Sequence, residues 1–174
     1  VARTDRIAPW MSPAERDSML ARATAYLSAV QDYRGFEAGI GWRHGVAHGA
    51  DWLLQLSLNP ALDASQLQRI VDAVAIQTVP ATGHAYVFGE PDRLVQPVAH
   101  VARRGVLTEA DWQAWLDGLS KRLGPMPAGG DVAWLARRHD LTAFLSALYI
   151  QVDASQNEAL RALKPQVAKA MAGG

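Results

Sequence analysis

Apolar residues return at helical spacing along almost the whole chain, and the runs break at glycine and proline. Met19, Leu20, Ala23, Tyr26, Leu27 and Val30 recur three or four positions apart, the period of one helix face. Ser12-Pro13-Ala14-Glu15 stands before them, with serine as N-cap, proline at the first helical position and a glutamate able to close a capping box. A helix is therefore expected over 13–33, ended by Arg34-Gly35, where glycine suits a left-handed cap. A glycine-rich loop from Gly35 to Gly41 leads into a second helix over 42–58, stopped by Asn59-Pro60. Asp63-Ala64-Ser65-Gln66 opens a third over 65–77, with Leu67, Ile70, Val71 and Val74 on its apolar face.

Pro80, Gly83, Gly89 and Pro91 make 78–91 a long loop, within which His84-Ala85-Tyr86-Val87-Phe88 reads as briefly extended. A fourth helix is expected over 92–104, and Pro97 inside it predicts a kink or a later start. Thr108-Glu109-Ala110-Asp111 opens a fifth over 109–123, with Trp112, Trp115, Leu116, Leu119 and Leu123 on its face. A Gly/Pro-rich linker, Gly124 to Gly130, precedes a sixth over 131–152, in which Arg137-Arg138-His139-Asp140 reads as a solvated turn. The tail gives a seventh over 156–171, bent or interrupted at Pro165. No stretch alternates convincingly as a strand. The reading is a single all-α domain of about seven helices, paired antiparallel in a HEAT-like α-α superhelix, with a compact irregular bundle as the alternative.

The composition fits that picture. At 174 residues, with 49% hydrophobic and 20% charged, the chain can bury a core without staples. Seventeen basic residues balance seventeen acidic ones, and no basic cluster is interleaved with aromatics, so nucleic acid is not an expected partner. No apolar run reaches the roughly 18 residues that span a bilayer, so no membrane span is expected. Cysteine is absent, which removes disulfides, thiolate nucleophiles and cysteine-ligated zinc. No glycine-rich loop follows a strand and no serine sits in a nucleophile elbow; no catalytic residue and no cofactor is assigned.

The candidate chemistry lies in Gly41-Trp42-Arg43-His44-Gly45-Val46-Ala47-His48-Gly49-Ala50-Asp51-Trp52. On a helix, His44, His48, Asp51 and Gln55 fall within about 60° of one another, opposite Val46, Ala50, Leu53 and Leu54. Gly45 and Gly49 each cost about 1 kcal/mol relative to alanine in a helix interior, which suggests that a backbone or a ligand packs closely there. Two histidines four residues apart can address one ion, and a carboxylate one turn on can join or orient them. Hydrolytic zinc helices, however, carry glutamate directly after the first histidine, and here that position is Gly45; no metal site is assigned. The leading single explanation of the stripe is structural: the imidazoles bond neighbouring loops, with Asp51 or Arg34 as partner. Glu90, Asp92 and Arg93 stand at the start of the fourth helix, where acidic groups suit the helix dipole; Glu90, Arg93 and His84 can also converge on the stripe. Arg34 is either a loop-fixing donor or an anion clamp. The expected ligand-binding set is thus Arg34, Trp42, His44, His48, Asp51, His84, Glu90 and Arg93.

Asp32-Tyr33-Arg34-Gly35, Gly41-Trp42 and the run His44 to Asp51 together resemble the central signature of the bacterial domain of unknown function 2785 family. Gly89-Glu90-Pro91-Asp92-Arg93-Leu94 and Ala143-Phe144-Leu145-Ser146-Ala147-Leu148-Tyr149 fit the same family, with Pro91 where another polar residue is expected. The resemblance implies an all-helical bacterial protein; its compartment, bacterial cytoplasm or periplasm, stays open. It also implies a further helical region ahead of Val1. The expected function is a non-enzymatic helical-repeat module that binds a protein or a small polar ligand at the His/His/Asp surface. The alternative is a metal-assisted hydrolase using His44, His48 and a carboxylate.

Overall fold

The computed structural model describes residues 1–173. Its elements in order are α1 (Ala2–Ile7), α2 (Pro13–Ala29), β1 (Phe36–Glu37), β2 (Gly41–Trp42), α3 (Gly45–Ser57), α4 (Ala64–Thr78), α5 (Glu90–Arg103), α6 (Glu109–Leu123), α7 (Val132–Ala154), α8 (Glu158–Arg161) and α9 (Lys164–Ala172). The fold is all-α, as the hydrophobic spacing indicates.

Helix starts follow their local chemistry. Ser12 with Glu15, Asp63 with Gln66 and Thr108 with Asp111 each form a complete capping box, in which side chain and backbone satisfy each other's free N–H groups. α5 begins two residues before the expected start and runs through Pro97 without interruption. The tail divides into α8 and α9, with Pro165 in the first turn of α9, a place where its missing N–H costs nothing.

α2 ends at Ala29 with Val30 as its C-cap, short of the expected 33, and further elements depart from the expectation. α1 has no side-chain cap and no apolar period to announce it; it is held by Asp5, which is 1% exposed. The Asp5 carboxylate accepts from Arg16 Nε at 2.8 Å, from the Trp10 and Met11 backbone N–H groups and from Asn59 Nδ2. The glycine-rich loop is also more ordered than expected. β1 and β2 pair antiparallel, Phe36 opposite Trp42 and Glu37 opposite Gly41, around Gly39 and Gly41 at φ 80° and 100°.

One continuous apolar core joins α1, through Ala2, to α2 through α9, with Leu20, Leu27, Leu53, Ile70, Leu94, Leu116 and Phe144 fully buried. α5 is central, packing on α3, α4, α7 and α8. Because α3 and α5 lie side by side, the start of each helix comes to the same edge of the molecule, and the small hairpin closes over that edge.

Candidate functional site

The hairpin sets the position of His44. The His44 N–H donates to the Arg34 carbonyl at 3.0 Å and the Arg43 N–H to the Gly35 carbonyl at 2.8 Å. These bonds carry the chain past β2 and turn it into α3 through a left-handed residue, His44 at φ 43°, ψ 43°. Among the described residues it is the sole non-glycine residue with positive φ, a conformation that has to be imposed by its surroundings. His44 is therefore the N-cap of α3, not a residue of the helix as the sequence spacing suggests, and Gly45 is at the first helical position. Gly49 does meet a close neighbour: a Cβ there would lie 2.9 Å from Leu27 Cδ1 and 3.2 Å from the Tyr26 ring. The glycine admits α2, not a ligand.

The His44 side chain is 11% exposed. Its Nε2 lies 3.3 Å from Glu90 Oε1 but is not aligned for a hydrogen bond, so the contact is an electrostatic one that strengthens when the ring is protonated. The other Glu90 oxygen accepts the Phe88 N–H at 2.9 Å. Glu90 is thus buried at 1% exposure instead of standing in water at the start of α5. Neither Asp51 nor Arg34 is the partner of the histidines. Asp51 is taken by Arg93, which grips both carboxylate oxygens with Nε and an NH2 group, and this pairing raises the Arg93 pKa. Arg34 turns its guanidinium to Asp32 and Glu37; the guanidinium holds Asp32 down at about 2. Arg34 reaches the site through its backbone carbonyl alone.

Above His44 lies Trp42, stacked on the imidazole with centroids 4.7 Å apart and planes 28° from parallel. Trp42 is 58% exposed. Phe36 and Phe88 meet it edge-on at 5.4 and 6.2 Å, and both are exposed in turn. The His48 ring stands 6.4 Å from that of His44, nearly perpendicular to it. Between these rings and the start of α5 runs a cleft of about 590 Å³, lined by Trp42, His44, His48, Phe88, Asp92 and Arg93. Among the described residues, no group of three His, Asp or Glu side chains is placed to hold a metal ion.

His84 belongs elsewhere. It stacks on Tyr33 at 4.9 Å and meets Tyr86 edge-on, away from the cleft lining. Tyr86 anchors this loop: its hydroxyl donates to Gln77 Oε1, its N–H to Asp140 Oδ1, and Gln77 Nε2 donates to the Leu27 and Val30 carbonyls. The turn of α7 read as solvated therefore carries a buried carboxylate, Asp140, at 1% exposure. Burial pushes Asp140 up to about 6 and Glu90 adds to the rise, against the Tyr86 N–H and His139. Phe36, Phe88, Tyr86 and Asp140 were not singled out by the sequence; only the adjacency of Phe88 to Gly89-Glu90 offered a signal.

The sequence profile of one family, described as protein of unknown function (DUF2785), matches residues 1–150. The chain belongs to the DUF2785 family. The match takes in α1 to α6 and most of α7, hence every residue of the cleft; the matched DUF2785 region ends before α8 and α9. No curated protein and no solved structure matches the chain.

Proposed function

We propose that this DUF2785 protein is a non-enzymatic binding module built on HEAT-like paired helices, whose cleft receives a short segment of a protein partner. The observation that carries this reading is Trp42, an exposed indole backed by the nearly buried His44 ring and edged by Phe36 and Phe88. Large aromatics fixed at the mouth of a cleft are the residues that dominate binding energy in interfaces. His48, Asp92 and the paired Arg93 supply the polar groups that fix the orientation of a bound segment. The His44–Glu90 contact keeps the support under Trp42 rigid.

The test is selection of binding peptides from a displayed library, followed by measured affinities for the wild type and two variants. Trp42→Ala is expected to weaken selected peptides at least tenfold, about 1.4 kcal/mol or more, while leaving the melting temperature nearly unchanged, because the ring is exposed. His48→Ala is expected to weaken them less. No Trp42-dependent binder from the library, or a Trp42→Ala protein destabilised by about 2 kcal/mol or more, would assign the stack to structure instead.

A second reading, a metal-assisted hydrolase using His44, His48 and a carboxylate, has one observation in its favour. His44 is strained and lies beside a buried carboxylate, an arrangement that clusters at active sites. Against it, Asp51 is already held by Arg93 and one Glu90 oxygen by the Phe88 N–H. Among the described residues, no third carboxylate or imidazole stands with His44 and His48 in a geometry that holds one ion.

A further inference from the structure

The helices beyond the matched residues close a second cavity, far along the chain from the histidine cleft. It measures about 240 Å³ and lies between the end of α5, the start of α6 and the α8–α9 pair. Ala102, Trp112, Leu163 and Gln166, all buried, form its floor, and the exposed Glu109 and Ala162 are at its rim. Trp112, Leu163 and Ala102 give the cavity an apolar and aromatic side, while polar groups make up about half of its lining.

Two polar features give the cavity a direction. Among the described residues Glu109 is the only charged side chain of the lining, and three cations of the bordering segments are engaged elsewhere. Arg103 turns to Gln151, Arg104 to the carbonyls of Asn59 and Leu62, and Lys164 to Asp153. Gln166 is 8% exposed and spends its amide NH2 on the Glu109 carbonyl at 3.4 Å, leaving its Oε1 shielded and without a donor. A buried amide oxygen without a donor is unfavourable, and the terminal amide torsion that aims it is soft.

We propose that this cavity is a binding site for a small organic cation: an amine with a compact apolar or aromatic body. The body packs against Trp112 and Leu163. The ammonium faces the Glu109 carboxylate at the rim and donates one N–H to Gln166 Oε1 as that amide turns toward it. An anionic ligand of the same shape meets only the Glu109 charge and is rejected. A pocket of this size accepts a ring with a short side arm and little more.

Benzylamine at neutral pH is the probe, titrated into the full chain and followed by the amide and indole signals in nitrogen-15 correlation spectra. Saturable binding is expected, with shifts centred on the Trp112 indole and the Gln166 side-chain amide. Glu109→Gln, at an exposed position, is expected to weaken binding about tenfold. Ala162→Leu, also exposed and filling the cavity from its rim, is expected to abolish it. Benzyl alcohol, which keeps the shape but lacks the charge, is expected to bind as weakly to the wild type as benzylamine does to Glu109→Gln. Absence of saturation by about 10 mM, weaker than small well-fitted ligands reach, would overturn the proposal. So would affinity unchanged by both substitutions, or equal affinity for the alcohol.

Discussion

His44 shows how the chemistry of one residue depends on partners distant in the sequence. Its spacing from His48 is the spacing of a helix face, yet its backbone is fixed by the Arg34 carbonyl and its ring by Trp42 and Glu90. Residue types and spacing made the histidines visible; they could not reveal that α3 begins at Gly45, because the bonds that end the hairpin there come from ten residues upstream. Asp140 is a sharper case. Its neighbours Arg137, Arg138 and His139 suggest solvent, while the residue that buries it, Tyr86, lies on a loop with no periodicity to read. Its raised pKa carries a testable sign. A carboxyl whose folded value, about 6, lies above the unfolded value binds protons more tightly in the native state. The stability this gives is fully present below the unfolded value of about 3.9 and is lost as pH rises to about 6. Asp140→Asn keeps the acceptor for the Tyr86 N–H and cannot ionise. Relative to wild type it should gain about 1–2 kcal/mol between pH 4 and pH 7, allowing for solvent screening, measured by urea unfolding at several pH values. The slope is the readout, since the amide NH2 replaces an oxygen that has no donor. An unchanged slope would show that burial does not shift the Asp140 carboxyl, and an opposite slope that the loop stabilises its charged form.

At the scale of elements, legibility followed the range of the forces. Helices whose starts are set by residues three apart, such as Ser12 with Glu15 and Thr108 with Asp111, could be read to within a residue or two. α1 could not, because a six-residue helix is not stable alone and its anchor is tertiary. Asp5 joins α1 to α2 through Arg16, and both to the turn after α3 through Asn59. Arg16 holds the Asp5 pKa well below the ordinary range, so this contribution is present above the unfolded value and fades only in strong acid. Asp5→Ala leaves a guanidinium at 10% side-chain exposure without its counter-ion, and it strands the Trp10 and Met11 N–H groups. The expected loss is about 3–5 kcal/mol, measured by chemical denaturation. It should be accompanied by faster amide hydrogen exchange in α1 and at the Trp10–Met11 turn. A loss below about 1 kcal/mol would mean that α1 packs through Ala2 and its apolar neighbours and that the ion pair is incidental.

The molecule as a whole raises the question of what α8 and α9 contribute, since the match to the family ends at residue 150. Their sequence shows an apolar pattern, Leu160, Leu163 and Val167, broken by Pro165, which could belong to a loose tail or to an integral layer. Packing favours the layer. All three side chains are buried, Leu160 and Val167 completely, with α9 set against α6 and α7 and α8 against α5. Burying such side chains is worth about 1.5–3 kcal/mol each, so together roughly 4–9 kcal/mol, against a total stability for a typical domain of about 5–15 kcal/mol. Removing residues 155–174 should therefore cost most of the stability. It should lower the melting temperature by about 10–30 °C or abolish the cooperative transition in calorimetry. Central α5 would lose its α8 neighbour, and the start of α5 supplies Glu90 and Arg93 to the histidine cleft, so peptide binding at Trp42 should weaken along with stability. A truncated protein that melts as the full chain does, with binding at Trp42 unchanged, would show instead that the core ends with α7 and that the C-terminal pair is an appended layer whose role is confined to its own cavity.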